Sequence, residues 1–294
     1  MNPKNPLISL FSLFFLSFSI HGATSQTRSD REASRTTERQ LRVEIAGGYG
    51  RIFIRRAQND KVFTIYSKNE NQSDDKLLVQ YRIKDSRGNL KIELNADDDD
   101  ERNVDALACL VRGKKTAKWE LELSDRIPIN LDFELGAGEA NLDLTDLRMQ
   151  SVKVEAGASR LRITCATPNP EQLHTLSISA GVGSVQSEHL GNLNFEALEF
   201  EGGLGSYVLD LTGALRNDAT VSTDLGMGSL VIVLPEGIGV RAMNSDSWFT
   251  SAHFQDFIRK SDDEYLSKDY LTARRKMNMD LNTGVGSVTV KWKK

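Results

Sequence analysis

Seven glycine corners divide most of this chain, and each has an alternating apolar run on both sides. They read Gly48-Tyr49-Gly50, Gly136-Ala137-Gly138, Gly157-Ala158-Ser159, Gly181-Val182-Gly183, Gly203-Leu204-Gly205, Gly226-Met227-Gly228 and Gly284-Val285-Gly286. Five and three residues before the first glycine stand Val43/Ile45, Leu131/Phe133, Val152/Val154, Leu176/Ile178, Leu198/Phe200, Val221/Thr223 and Met279/Leu281. Four and six residues after it stand Ile52/Ile54, Ala140/Leu142, Leu161/Ile163, Val185/Ser187, Tyr207/Leu209, Leu230/Ile232 and Val288/Val290. A strand repeats its inward positions every two residues. Odd offsets before a corner and even offsets after it therefore face one core only if the corner holds an extra residue. A tight bend or bulge supplies it, and glycine takes the required backbone angles without a Cβ penalty.

Successive corners lie 21 (136 to 157), 24 (157 to 181), 22 (181 to 203) and 23 (203 to 226) residues apart. A parallel strand pair joined by a helix needs roughly 30 residues or more, so these units hold strands and turns only. Stacking such units buries one face of each and predicts an all-β fold, a single-stranded parallel β-solenoid (β-helix) with an N-terminal β cap and a C-terminal insert before the last strand. An antiparallel meander or an outer-membrane barrel competes for the same alternation, but a barrel's aromatic girdle is missing. Eight residues after the first glycine of the last six corners fall Leu144, Cys165, His189, Leu211, Leu234 and Trp292, a mostly apolar column that places Cys165 in the core.

The predicted organisation is a signal peptide over 1–25, a cap region over 26–125 and the glycine-repeat region over 126–294, with the insert at 244–276. Lys4, the apolar run Leu7 to Ile20 and the small residues Ala23-Thr24-Ser25 carry the first assignment, and predict export with no stable membrane span after cleavage. The mature protein is then expected in the periplasm, at the cell surface or outside the cell. In the cap region Val62-Thr64-Tyr66, Val79-Tyr81-Ile83, Leu90-Ile92-Leu94 and Trp119-Leu121-Leu123 read as strands, with a hairpin turn at Ser86-Arg87-Gly88-Asn89. Such a cap shields raw strand edges. The insert concentrates aromatic residues among charges and contains a predicted short helix near Asp262 to Arg275. It reads as a second cap, or more sharply as a partner-binding surface carried by Trp248, Phe249, Tyr265 and Tyr270.

The net charge of -4, with Lys and Arg scattered, excludes a nucleic-acid stripe. Cys109 and Cys165 are either bridged, as an exported compartment permits, or two separate buried thiols. Each glycine corner leads into a strand and lacks the third glycine of a dinucleotide loop. Asp143 and Asp210 share a column three layers apart, about 14 Å, which exceeds the separation of a glycosidase pair. Asp97-Asp98-Asp99-Asp100-Glu101 lacks the spacing of a calcium loop, and His174, His189 and His253 form no pattern. No catalytic residue, cofactor or metal is expected.

Pro128-Ile129-Asn130-Leu131 leading into Gly136 to Leu144, Gly191 to Glu196, Phe200 to Gly205 with Leu209-Asp210-Leu211-Thr212-Gly213, and Gly226-Met227-Gly228-Ser229 with Leu234-Pro235 together resemble the bacterial toast-rack family over about Leu121 to Lys294. The resemblance implies an exported β-solenoid, similar in repeat pattern to the outer domains of cell-wall-active antibiotic response proteins. The expected role is a non-enzymatic scaffold or binding protein of the cell envelope with a protein or glycan partner. The alternative is a carbohydrate-active β-helix enzyme acting on envelope or extracellular polysaccharide.

Overall fold

The computed structural model describes residues 32–68, 77–94, 118–246 and 249–293. The leader over 1–25, the acidic run 97–101, Cys109 and Trp248 lie outside the described residues. The described chain is strand and turn apart from one 3-10 turn at Leu190–Leu193. In order come β1 (Glu32–Ser34), β2 (Gln40–Arg56), β3 (Lys61–Lys68), β4 (Leu77–Lys84), β5 (Arg87–Leu94), β6 (Lys118–Leu123), β7 (Ile129–Asp143) and β8 (Met149–Thr164). They are followed by β9 (Leu173–Glu188), β10 (Phe195–Asp210), β11 (Ala219–Leu234), β12 (Gly239–Asp246), β13 (Thr250–Phe254), β14 (Phe257–Arg259), β15 (Glu264–Ser267) and β16 (Lys276–Trp292).

Each long strand contains one glycine corner, and these strands stack in parallel in the order β2, β7, β8, β9, β10, β11, β16. Straight, the 15 residues of β7 would reach about 50 Å. Yet from Asp143 the chain must regain Met149, the partner of Ile129, within about 22 Å, the reach of the short link between them. The strand therefore folds back on itself at its corner, and the link closes a layer. Burial shows the predicted reset: Leu131, Phe133 and Leu135 are buried, then Ala140 and Leu142. The polar exception Ser187 is buried as well, donating to the Val208 carbonyl at 3.2 Å and accepting from the Asp210 amide at 2.9 Å.

As a whole the sheet is mixed, so a wholly parallel, single-stranded solenoid does not describe it. Antiparallel strands close the ends: β4 pairs with β5, β3 with β6 and β1 with β3 on one side, and β15 with β12 and β14 with β15 on the other. The physical reason is the parallel edge, whose unpaired N–H and C=O groups would otherwise recruit another chain. Both terminal layers are also assembled from two pieces. One half of β2 pairs with β5 and the other with β6; one half of β16 pairs with β12 and the other with β13. The last repeat strand is thus inserted between β11 and β12, and the predicted insert supplies half of an additional layer.

Two local expectations are corrected. The stretch from Asp262 to Arg275 is not a helix but β15 followed by turns, because the open edge of β12 offers backbone partners to an extended segment. The hairpin turn falls at Asp85-Ser86, both left-handed (φ 52° and 60°), a two-residue connection of the kind that matches strand twist.

Candidate functional site

The corners build the most distinctive surface of the molecule. At the third corner position a Cβ on Gly138 would lie 2.0 Å from the Gly50 carbonyl oxygen, and one on Gly228 would lie 1.9 Å from that of Gly205. Both glycines have positive φ, 126° and 139°. Successive layers therefore approach too closely for side chains there. The central residue remains free to carry one, and it projects outward.

In register across β9, β10, β11 and β16 these central residues are Val182, Leu204, Met227 and Val285. Phe249 continues the line, since its carbonyl accepts the Gly286 N–H at 3.2 Å beside Val285. The fractional exposures are 53% for Val182, 49% for Leu204, 51% for Met227, 40% for Val285 and 75% for Phe249. At the strand spacing this apolar ridge is about 19 Å long. Towards the other end the central residues shrink to Ala158 and the buried Ala137.

A column of hydroxyls runs alongside: Ser184, Ser206, Ser229, Ser287 and Ser251 occupy matching positions, with the Ser206 and Ser229 hydroxyls 3.2 Å apart. The next outward column is Gln186, Val208, Val231, Thr289 and His253. On the earlier layers the same face is ionic, with Arg160 held by Glu139 at 2.8 Å and Arg162 by Gln186 at 2.9 Å and Glu188 at 3.4 Å. Where the two regimes meet lies a groove of about 410 Å³, lined among others by Phe53, Asn141, Arg162, Ser184 and Val208. Apolar side chains, hydroxyls and a shallow groove suit binding.

Of the four aromatic residues singled out in the insert, the three that are described do not converge. Trp248 is outside the described residues, and Phe249 lies on the ridge. Tyr265 stacks on Phe254 with ring centroids 4.0 Å apart, within a cluster that continues through Phe257 to Trp292. Tyr270 lies under the Lys276 ammonium at 4.9 Å and packs against Gly239. The ridge itself was readable, because the central residue is apolar in all seven corners.

The histidines stand apart from one another, and His189 lies 4.0 Å from Asp210 and 3.5 Å from the Lys293 ammonium. His174 pairs with Glu196 at 3.0 Å, His189 with the Thr212 hydroxyl at 2.9 Å, and His253 is exposed. Asp143 is separated from Asp210 by the strands β8 and β9, and Asp210 accepts the Thr212 N–H at 2.8 Å. Among the described residues no group of three or more His, Cys, Asp or Glu is placed to hold a metal ion. Cys165 is a buried free thiol, and burial first, then Asp143 and Asp146, pushes it up to about 12.

The family model for the N-terminal domain of toast_rack, DUF2154, matches residues 21–188. No curated protein matches by sequence. Among solved structures, a "putative cell adhesion protein" from Clostridium sporogenes ATCC 15579 is 18% identical with a TM-score of 0.44, covering 89% of this chain and 97% of its own. A "putative adhesin" from Bacteroides fragilis NCTC 9343 is 14% identical with a TM-score of 0.32, covering 88% and 95%. Likenesses this slight carry nothing about role. Among the described residues no helix is long and apolar enough to cross a membrane.

Proposed function

Because this chain belongs to the toast-rack family, we propose that it is an exported, non-enzymatic β-solenoid scaffold of the bacterial cell envelope, binding a protein partner along its corner ridge. The observation that carries this reading is the in-register line Val182, Leu204, Met227, Val285 and Phe249, each at least 40% exposed. Contiguous apolar surface of this kind on a water-soluble face marks interaction sites. The hydroxyl column beside it offers donors and acceptors to a partner's polar rim without fixing a charge, as interface anatomy requires. Export rests on the Met1 to Gln26 segment and is checked by the mature amino terminus, expected at residue 26.

The test is paired capture from envelope fractions with the full mature chain and with the Leu204→Asp/Met227→Asp variant. Both positions are on the surface, so the variant should melt with the parent. A specific partner should be retained by the parent and lost by the variant, since a central anchor is worth about 2 kcal/mol, roughly thirtyfold in affinity. An identical bound set for a still-folded variant would remove the ridge from the binding function.

A further inference from the structure

The arginines beyond Lys118 divide sharply. Arg126, Arg148, Arg160, Arg162, Arg241 and Arg259 each hold a carboxylate. Arg216, Arg274 and Arg275 hold none among the described residues, and these three line a single cleft of about 500 Å³ together with Asn217 and Asp218. Where they have partners, those partners are neutral: Arg216 donates to the Asn169 carbonyl at 3.1 Å, and Arg275 donates to the Leu215 carbonyl. The Arg274 guanidinium has no hydrogen-bond or ion-pair partner among the described residues.

Topology brings them together. β11 and β16 pair in register from Ala219 opposite Met277, so the link that precedes β11 lies beside the link that precedes β16. Asp218 ties the two links, accepting the Lys276 N–H at 2.8 Å. Three arginines thus line one cleft with a single aspartate, in a chain whose net charge is -4. Like charges gathered in one cleft repel unless an anion joins them. Planar guanidinium forks match phosphate oxygens in paired hydrogen bonds, which an ammonium group does not. Asp218 lines the same cleft, and its second oxygen, with no partner among the described residues, is free to accept from a hydroxyl on the carrier.

We propose that this cleft binds the phosphate group of a hydroxylated phosphomonoester. It stands apart from the corner ridge and does not depend on it. Calorimetric titration of the full chain with inorganic phosphate, glucose 6-phosphate and glucose separates the sources. Glucose 6-phosphate should bind saturably, more tightly than inorganic phosphate, with glucose silent and both affinities falling as salt rises. Arg274→Ala should weaken binding about tenfold, and Arg274→Glu should abolish it, with thermal melts unchanged because that side chain is exposed. Binding of inorganic phosphate alone would overturn the carrier and the role of Asp218. Absence of saturable binding by both anions, or binding indifferent to Arg274→Glu, would overturn the site.

Discussion

At the N-terminal end the outermost layer is buried along both halves, whereas at the C-terminal end one half stays partly open. Leu90, Ile92 and Leu94 of β5 and Trp119, Leu121 and Leu123 of β6 are all buried, covered by Val79 of β4 and by Phe63 and Ile65 of β3. In the matching C-terminal layer Val240 and Ala242 of β12 are buried under β15, but Ala252 and Phe254 of β13 are only half-buried. Among the described residues β13 pairs with β16 and with no second strand. A terminal layer therefore needs two covering strands, one for each half, and the C-terminal cap spends its single hairpin on one. The aromatic cluster of Phe254, Phe257, Tyr265 and Trp292 seals the core where backbone cover stops.

The largest expected effect tests that inequality. Trp119→Ala should cost about 3–5 kcal/mol in chemical denaturation, the range for an aromatic residue removed from a closed core. Phe254→Ala should cost about 1–2 kcal/mol, because the ring is already half in water and loses chiefly its stacking on Tyr265. Equal losses would mean that the C-terminal end is as closed as the other. Cys165, buried between the two ends, reports the same difference by rate. With its thiol pushed up to about 12 by burial, labelling requires opening of the stack. In a Cys109→Ser background, Trp119→Ala should speed labelling of Cys165 by more than about a hundredfold and Phe254→Ala by about tenfold.

Hydrogen exchange should separate the ends without mutation. Amides of β13 are expected to exchange at least about tenfold faster than those of β6, which is flanked on both sides by β2 and β3. Matching protection would show that β13 is covered.

What the sequence revealed and what it hid follow the same division. The layers from β7 to β11 were legible because each repeats the same inward positions around a glycine, and Leu131, Val152, Leu176, Leu198 and Val221 indeed align as partners. The terminal layers were not legible as layers. Their halves come from separate segments with no glycine corner of the repeat type in either, so offset counting had no anchor. Charges and aromatic residues over Asp262 to Arg275 imitated an amphipathic helix, but local pattern yielded to the edge of β12. The ridge lay in view: the glycines drew attention to the backbone, while the central apolar residue in every corner carried the surface. The arginine cleft depends on β16 entering beside β11, which no local pattern announces.

The smallest effect belongs to the closed end and appears only in alkali. The Tyr81 hydroxyl is buried in the N-terminal cap without a partner among the described residues, with its ring 5.3 Å from that of Phe63. Burial first, and then the negative charge of Glu38, raises it from the ordinary 10.0 to about 12. The fold thus favours the neutral phenol. Its contribution to stability is full below pH 10.0 and is lost as pH rises through about 12. Tyr81→Phe should leave stability near neutral pH within about 0.5 kcal/mol, since the hydroxyl it removes makes no bond among the described residues. It should also flatten the decline in stability above pH 10.0, measured by denaturation at stepped pH. An unchanged alkaline profile in the variant would mean that water reaches the phenol, and that the N-terminal cap is less closed than the burial of its neighbours implies.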